Sequence, residues 1–334
     1  MKKKKYLGID ISKKWFDAYL LTSLNEKGSE KRFNNSHSGL KYLFEWLSES
    51  GCKPSNTLVC MEHTGTYGFL LQACLQQHQW VTVLEPALQI KQSMGMQRGK
   101  NDKVDARRIA EYAYTNFEKL TPSKLPSREL LKVKQMMTYH RQLVKTRTGF
   151  KNSIKSHKQY CQLTGLDKIH KDIRVQINQL SKKIKGLETQ IIKCLKQDEE
   201  IKKNYILLRT IKGYGPILTA AILVSTRNFA SFANARKYAC YVGVAPFENS
   251  SGTFKGQTKT SALGDKRIKT LLNNAANSAS LYDPEIRHYY QRRLEAGKNH
   301  KCIMNAVAFK LLNRAFAIIK RQTPYVVTYE KIVA

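Results

Sequence analysis

Acidic residues are scarce. The chain of 334 residues carries 25 Asp and Glu against 58 Lys and Arg, a formal net charge of +33. A surplus of that size calls for a polyanionic partner, nucleic acid first and an anionic membrane surface second. Long apolar runs are missing too: none reaches the roughly 18 residues of a membrane span, and the N-terminal MKKKK leads directly into a strand-like segment with no signal-peptide hydrophobic stretch. The seven cysteines, at positions 52, 60, 74, 161, 194, 240 and 302, are odd in number, scattered and without a CxxC pair. That argues against a disulfide framework or a cysteine zinc site and leaves reduced thiols, as expected of a cytoplasmic protein. What is present in quantity is apolar surface, 42% of residues, enough for the cores of two or three domains at this length.

The few acids are not randomly placed. Lys100–Glu111 reads KNDKVDARRIAE, with Asp102 and Asp105 three residues apart at the start of an expected helix for which Asn101 is a candidate N-cap. At that spacing the two carboxylates share a face, about 5–6 Å apart at Cβ. A lone DxxD is ordinarily a helix start whose acids suit the helix dipole. Here it has company. Asp10 closes the apolar run Tyr6-Leu7-Gly8-Ile9, and Glu62 closes Leu58-Val59-Cys60-Met61. Acids at the ends of two core strands and two on a helix make a hard oxygen-donor set suited to Mg²⁺ or Mn²⁺. Paired divalent ions can clamp the attacking and leaving oxygens of a phosphoryl transfer. His63, beside Glu62, reads as a packed or supporting residue rather than a ligand or base.

Along the chain, residues 1–120 alternate as α/β. Strands are expected at Lys5–Ile11, Trp15–Thr22, Lys31–Asn35, Thr57–Met61 and Trp80–Leu84, and helices at Gly39–Ser50, Thr66–Gln77 and Asp102–Thr115. The order βββαβαβα is that of an RNase H-like domain, in which the first strand, the fourth strand and a late helix converge on carboxylates. Residues 121–200 read as a basic helical and coiled-coil linker, opening at PSKLP. Arg128–Tyr160 holds nine Lys and Arg against Glu129 alone, which predicts a phosphate-tracking face carrying Lys132, Lys134, Arg141, Lys145, Arg147, Lys151 and Lys155. Ile173, Ile177, Leu180, Ile184, Leu187, Ile191 and Cys194 form a heptad seam, to be buried either against Arg128–Tyr160 or in an intermolecular coiled coil.

Residues 201–334 form the last region, expected to be mostly α-helical. Leu207–Val224 reads as helix, Gly-Tyr-Gly turn, helix, with Pro216 in the first turn of the second. A helix-hairpin-helix would offer the backbone around Gly213 and Gly215 to a phosphate; a plain αα-hairpin would use the glycines for tightness. Short helices are expected at Phe232–Tyr241, Ile268–Ala279 and Ile303–Lys320. Between them runs VGVAPFENSSGTFKGQTKTSALGDKRIK, a Gly- and Ser-rich loop in which Lys255, Lys259, Lys266 and Arg267 flank the serines.

Taken together, Gly8-Ile9-Asp10, Met61-Glu62-His63-Thr64-Gly65-Thr66-Tyr67 and Asn101-Asp102-Lys103-Val104-Asp105-Ala106 resemble the DEDD transposases, insertion-sequence recombinases of the IS-one-ten and IS-eleven-eleven type. Gly243-Val244-Ala245-Pro246 followed by Ser250-Ser251-Gly252 resembles the second half of that family. The resemblance implies a RuvC-like N-terminal domain with Asp10, Glu62, Asp102 and Asp105 as catalytic, metal-holding acids. It implies a DNA transposase or site-specific recombinase whose nucleophile is the serine before Gly, Ser251 rather than Ser250, acting through a phosphoserine intermediate. It implies donor and target DNA, an element-encoded guide RNA, and a homo-oligomer, dimer or tetramer, with no membrane partner. The alternative from the residues alone is a metal-dependent endonuclease of the junction-resolvase type, with water as nucleophile and no covalent intermediate; a nucleic-acid-binding protein with an inactive site is a third reading, which the presence of all four acids disfavours.

Overall fold

The computed structural model describes residues 5–62, 65, 67–93, 102–164, 167–247, 250–251, 254–256, 259–261 and 263–326; at 102–103, 157–164, 167, 250–251, 254–255 and 259 it is the backbone that is described. Asn101, His63 and Gly252 lie outside the described residues. The chain forms two compact units, 1–125 and 126–334.

The first unit is a mixed five-stranded sheet with helices on both faces. Its strands are β1 (Lys5–Ile11), β2 (Trp15–Leu21), β3 (Ser29–Asn34), then β4 (Thr57–Glu62) after helix α1 (His37–Glu49), and β5 (Val81–Glu85) after α2 (Phe69–Gln77). They lie in the order β3-β2-β1-β4-β5. The first three pair antiparallel, while β1, β4 and β5 run parallel. Parallel strands covered on both faces read as continuous apolar runs, which is why Leu58-Val59-Cys60-Met61 announces itself. Leu40, Leu43 and Leu47 of α1, with Leu71 and Leu75 of α2, pack on Leu7, Ile9, Phe16 and Val59 of one face. α1 is capped by Ser36, whose hydroxyl accepts from Gly39 N at 3.2 Å.

The other face is covered by α3 (Ala87–Ser93) and α4 (Asp102–Thr115). Ala106, Ile109, Ala110 and Ala113 of α4 pack on Tyr6, Tyr19, Leu58 and Cys60. The approach is closest at Gly8, where a Cβ would stand 2.3 Å from both Ala106 O and Ala110 N. Only glycine lets the helix lie directly on β1.

The second unit is mostly helical. α5 (Arg128–Thr164) and α6 (Asp167–Leu195) pack against each other as an antiparallel hairpin within one chain, tied across by His140 Nε2 and Glu188 Oε1 at 2.9 Å. The heptad seam thus finds an intramolecular partner, and unevenly: Ile184, Leu187, Ile191 and Cys194 are buried, while Ile173, Ile177 and Leu180 are half-buried. The base of the hairpin merges with α7 (Glu199–Arg209), α8 (Pro216–Ser225) and α9 (Ala235–Val242). After a segment whose described residues include the strands β6 (Pro246–Phe247), β7 (Ser250–Ser251), β8 (Phe254–Lys255) and β9 (Lys259–Thr260), come α10 (Lys266–Tyr282), α11 (Pro284–Glu295) and α12 (His300–Arg321). Leu143, Ile191, Leu208, Ile222, Tyr238, Leu272 and Leu311 share one core. Among the described residues α12 alone is long and apolar enough to cross a membrane; here its Ile303, Val307, Leu311 and Ile318 are buried in that core.

Candidate active site and nucleic-acid surfaces

Parallel strands end on the same side of a sheet. β1, β4 and β5 therefore bring the acids at their C-terminal ends together. Ile9 pairs with Met61 and Glu62 pairs with Glu85, so Asp10, Glu62 and Glu85 stand level on neighbouring strands, about 4.8 Å apart along the hydrogen-bonding direction. Side chains alternate across a sheet, and Asp10, Glu62 and Glu85 have the parity of Tyr6, Cys60 and Val83, which face α4. The row continues outward: Asp10 pairs with Asp17 on β2, and Asp17 with Arg32 on the edge strand β3. Asp17 is buried and receives two hydrogen bonds from Arg32, Nε and Nη2 each at 2.9 Å. That bidentate pairing neutralises the acid at the β2 end of the row, whereas Asp10 and Glu62 are half-exposed.

Asp105 is half-exposed in the second turn of α4, beside the Ala106 that rests on Gly8, and its Oδ1 accepts from Arg108 Nη1 at 2.9 Å. Asp102 opens the same helix one turn before Ala106, its side chain outside the description. The structure thus brings Asp10, Glu62 and Asp105 to one end of one sheet face. It adds Glu85, which the sequence reading passed over by ending the last strand at Leu84. Burial raises the Glu85 carboxyl above its usual range, opposed by a hydrogen bond with Tyr112 of α4, whose hydroxyl also accepts from Gln89 Nε2 at 3.2 Å. Its mark in the sequence is the one that Asp10 and Glu62 carry, an acid closing the run Val81-Thr82-Val83-Leu84. Among the described residues no three His, Cys, Asp or Glu side chains converge closely enough to hold an ion; the donors on the row are all carboxylate oxygens, the chemistry a hard divalent cation takes.

The Gly/Ser-rich segment is a β-hairpin rather than a plain loop. β6 pairs antiparallel with β9, and farther out β7 pairs with β8, Ser250 opposite Lys255 and Ser251 opposite Phe254. Ser251 is the last residue of β7. The hairpin is pinned at its base. Gly243 has φ +81°, and Gly243 and Gly264 cross so closely that a Cβ on Gly264 would lie 2.5 Å from Gly243 Cα. Lys269 Nζ donates to Gly243 O at 2.8 Å and to Thr260 Oγ1 at 3.2 Å, and Asn305 Nδ2 donates to Val244 O at 2.8 Å. These contacts fix the base of the segment that carries β7.

The expected phosphate-binding residues divide into two groups. On α5, Lys132, Arg141, Lys145, Lys151 and Lys155 are exposed, as is Lys266 at the start of α10. Lys134 and Arg147 are half-buried. Burial, then the nearby Arg227, lowers the Lys134 ammonium pKa. Arg267 is turned inward: its Nη2 donates to Met137 O at 2.8 Å, and burial, then Arg141, lowers its pKa. At Gly213, φ is +90° and a Cβ would meet Ala275 O at 2.4 Å, so close packing on α10 by itself demands glycine. In the same turn Tyr214 N donates to Ile211 O at 3.1 Å and Gly215 N to Gly213 O at 3.0 Å, while the buried Tyr214 hydroxyl donates to Leu311 O at 3.0 Å. Lys255 and Lys259 are placed on β8 and β9 by backbone alone.

Comparison with known proteins bears on both units. Residues 7–164 match the family model of DEDD transposases of the IS110 type, described as transposase. Residues 205–291 match the family described as transposase IS116/IS110/IS902. The pilin gene-inverting protein of Moraxella bovis is 28% identical over 329 residues, spanning 96% of this chain and 98% of that protein. The corresponding protein of Moraxella lacunata is also 28% identical over 329 residues, with the same coverage. An insertion element IS900 uncharacterized 42 kDa protein of Mycobacterium paratuberculosis is 29% identical over 153 residues, 45% of this chain and 38% of that one.

Proposed function

The chain belongs to the IS110 family of transposases, and from that membership we propose that it rearranges DNA through a covalent bond to Ser251, with the carboxylate row as the second half of its chemistry. Members of the family are enzymes acting on DNA. Full-length similarity to two pilin gene-inverting proteins supports rejoining as well as cutting. The first unit is read as RNase H-like, supported by the strand order β3-β2-β1-β4-β5 and the antiparallel-then-parallel pairing.

The observation that carries the serine assignment is the antiparallel pairing of β7 with β8, which ends β7 at Ser251 opposite Phe254, on a segment pinned at its base. The Ser251 hydroxyl attacks a scissile phosphate. An Oγ–P bond forms, one P–O bond to deoxyribose breaks, and the departing deoxyribose oxygen takes up a proton. Attack by a different deoxyribose hydroxyl reverses the exchange and rejoins the strand, so the phosphodiester bond energy is kept. The all-oxygen donor set fits Mg²⁺ or Mn²⁺, with Asp10, Glu62, Asp102 and Asp105 as the residues that would hold it. Such an ion, when bound, supplies positive charge against the phosphoryl oxygens. The exposed lysines of α5 with Lys255, Lys259 and Lys266 track DNA phosphates. An element-encoded guide RNA, a homo-oligomer and a cytoplasmic location complete the proposal.

Covalent trapping tests it. Purified protein, co-expressed with the non-coding RNA flanking its gene, is mixed with labelled donor DNA and Mg²⁺ and run on a denaturing gel. The expected result is a labelled band at protein mass that Ser251→Ala abolishes and Ser250→Ala retains. A band that survives Ser251→Ala sinks the assignment. Cleavage with no band, abolished by Asp10→Ala, would make the chain a hydrolytic endonuclease of the junction-resolvase type.

A further inference from the structure

One strongly basic surface lies outside every residue assigned so far. The unit's last two helices, α11 and α12, meet at a tip where Gln291 through Cys302 are all exposed. The tip carries Arg292, Arg293, Lys298 and Lys301 against the single acid Glu295. None of the four cations makes an ion pair among the described residues, although this chain pairs Arg32, Arg107, Arg108 and Arg314 with carboxylates elsewhere. Unneutralised like charges on one short projection repel each other and raise the cost of the fold unless a polyanion answers them.

The projection is held firmly at its root. Asp283 is fully buried; one of its carboxylate oxygens accepts from Ile286 N at 3.1 Å, capping α11, and the other accepts from Arg314 at 2.7 Å. Ile286 is fully buried, while Tyr290 and His300 clasp the two helices through a 3.0 Å hydrogen bond. Beyond that clasp Gln291–Glu295 of α11 are all exposed. The diameter of the helix, about 10–12 Å with side chains, suits a B-form major groove about 12 Å wide. It does not suit the deep, narrow major groove of an RNA duplex. Nor does the tip suit a single strand: between Gln291 and Lys301 the one aromatic ring is His300, already engaged with Tyr290, so there is no free stacking platform for bases.

We propose that the α11–α12 tip is a duplex-DNA clamp, in which Arg292, Arg293, Lys298 and Lys301 grip backbone phosphates while α11 lies in the major groove. It rests on the DNA-acting character of the family and not on the serine chemistry. The test is the salt dependence of binding by the full chain, read without catalysis. A variant Arg292→Gln/Arg293→Gln/Lys298→Gln/Lys301→Gln is compared with wild type and with Lys182→Gln/Lys183→Gln/Lys185→Gln/Lys193→Gln, which removes equal charge from the exposed face of α6. The probe is a duplex of arbitrary sequence, roughly 30 base pairs long, with matched double-stranded RNA and single-stranded DNA alongside. Each phosphate contact contributes about 0.9 to the slope of log affinity against log salt. The tip variant should therefore lose about two units or more of slope on duplex DNA, with the α6 variant losing less than half as much. An unchanged slope, an equal loss in both variants, or a loss confined to RNA or to single strands would overturn the proposal. Circular dichroism matching wild type is expected, since all eight side chains are exposed. Any of these outcomes leaves the Ser251 reading where the trapping experiment puts it.

Discussion

Gly8 carries a demand that its neighbours on β1 do not. Its missing side chain is the space in which α4 lies, and a Cβ would collide with backbone atoms of Ala106 and Ala110, which cannot rotate away. Gly8→Ala should therefore lower unfolding stability by about 1–3 kcal/mol, the usual range for overpacking, and should tilt α4 and Asp105 away from Asp10, reducing DNA cleavage. Urea melts and a cleavage assay check the two effects separately. Glu85 makes a different prediction. Its folded-state pKa is raised above 4.5 by burial, so the folded chain binds that proton more tightly than the unfolded chain does. Stability then falls as pH climbs from about 4.5 through the folded value, and the penalty stays in full above it. Glu85→Gln removes the penalty. With EDTA present, the variant should melt above wild type near pH 7 and level with it near pH 4; an equal gain at both would assign the effect to the Tyr112 hydrogen bond instead. Asp10 and Glu62 were legible as acids closing apolar runs, and Glu85 would have been by the same criterion. The Asp17–Arg32 pair was not, because the β2–β3 register that joins residues fifteen apart is set by sheet pairing and not by spacing in the chain.

At the scale of elements, the heptad seam of α6 was regular in sequence but is graded in space. Its helix is buried deeply only where the hairpin enters the second core. Ile191 is fully buried there, while Ile177 on the same seam is half-buried. Ile191→Ala should cost about 2–5 kcal/mol, transfer plus cavity, whereas Ile177→Ala should cost under about half as much, since the site can collapse or fill with water. Paired denaturation midpoints decide it, and equal losses would mean that the distal seam is covered in solution. A periodic pattern reports which face is apolar and leaves open what covers it, so the choice between an intramolecular and an intermolecular partner had to wait for the structure. The serine hairpin was illegible for a related reason. What pins it, Lys269 on Gly243 O and Thr260, comes from a helix beyond the loop, and spacing in the chain does not reveal such a contact.

Across the whole molecule, each unit has its own core, and the protein carries a built-in reporter of which one is melting. All three tryptophans, Trp15, Trp46 and Trp80, lie in the first unit. Trp46 and Trp80 belong to the core shared by α1, α2 and the sheet, so their fluorescence follows that unit alone. Far-ultraviolet circular dichroism is weighted toward the helices of the second unit. Chains with separate cores need not unfold as one two-state system. Leu7 and Leu272 are both fully buried, in the first and second cores respectively. Leu7→Ala should move the fluorescence transition to lower urea and leave the main dichroism transition in place. Leu272→Ala should do the reverse. Each loss should fall in the range of about 2–5 kcal/mol expected for a buried leucine cut to alanine. If either substitution moves both transitions by the same amount, the units share one cooperative transition. The carboxylate row and the serine hairpin would then be held by a single folding equilibrium, and a core substitution in either half would weaken both.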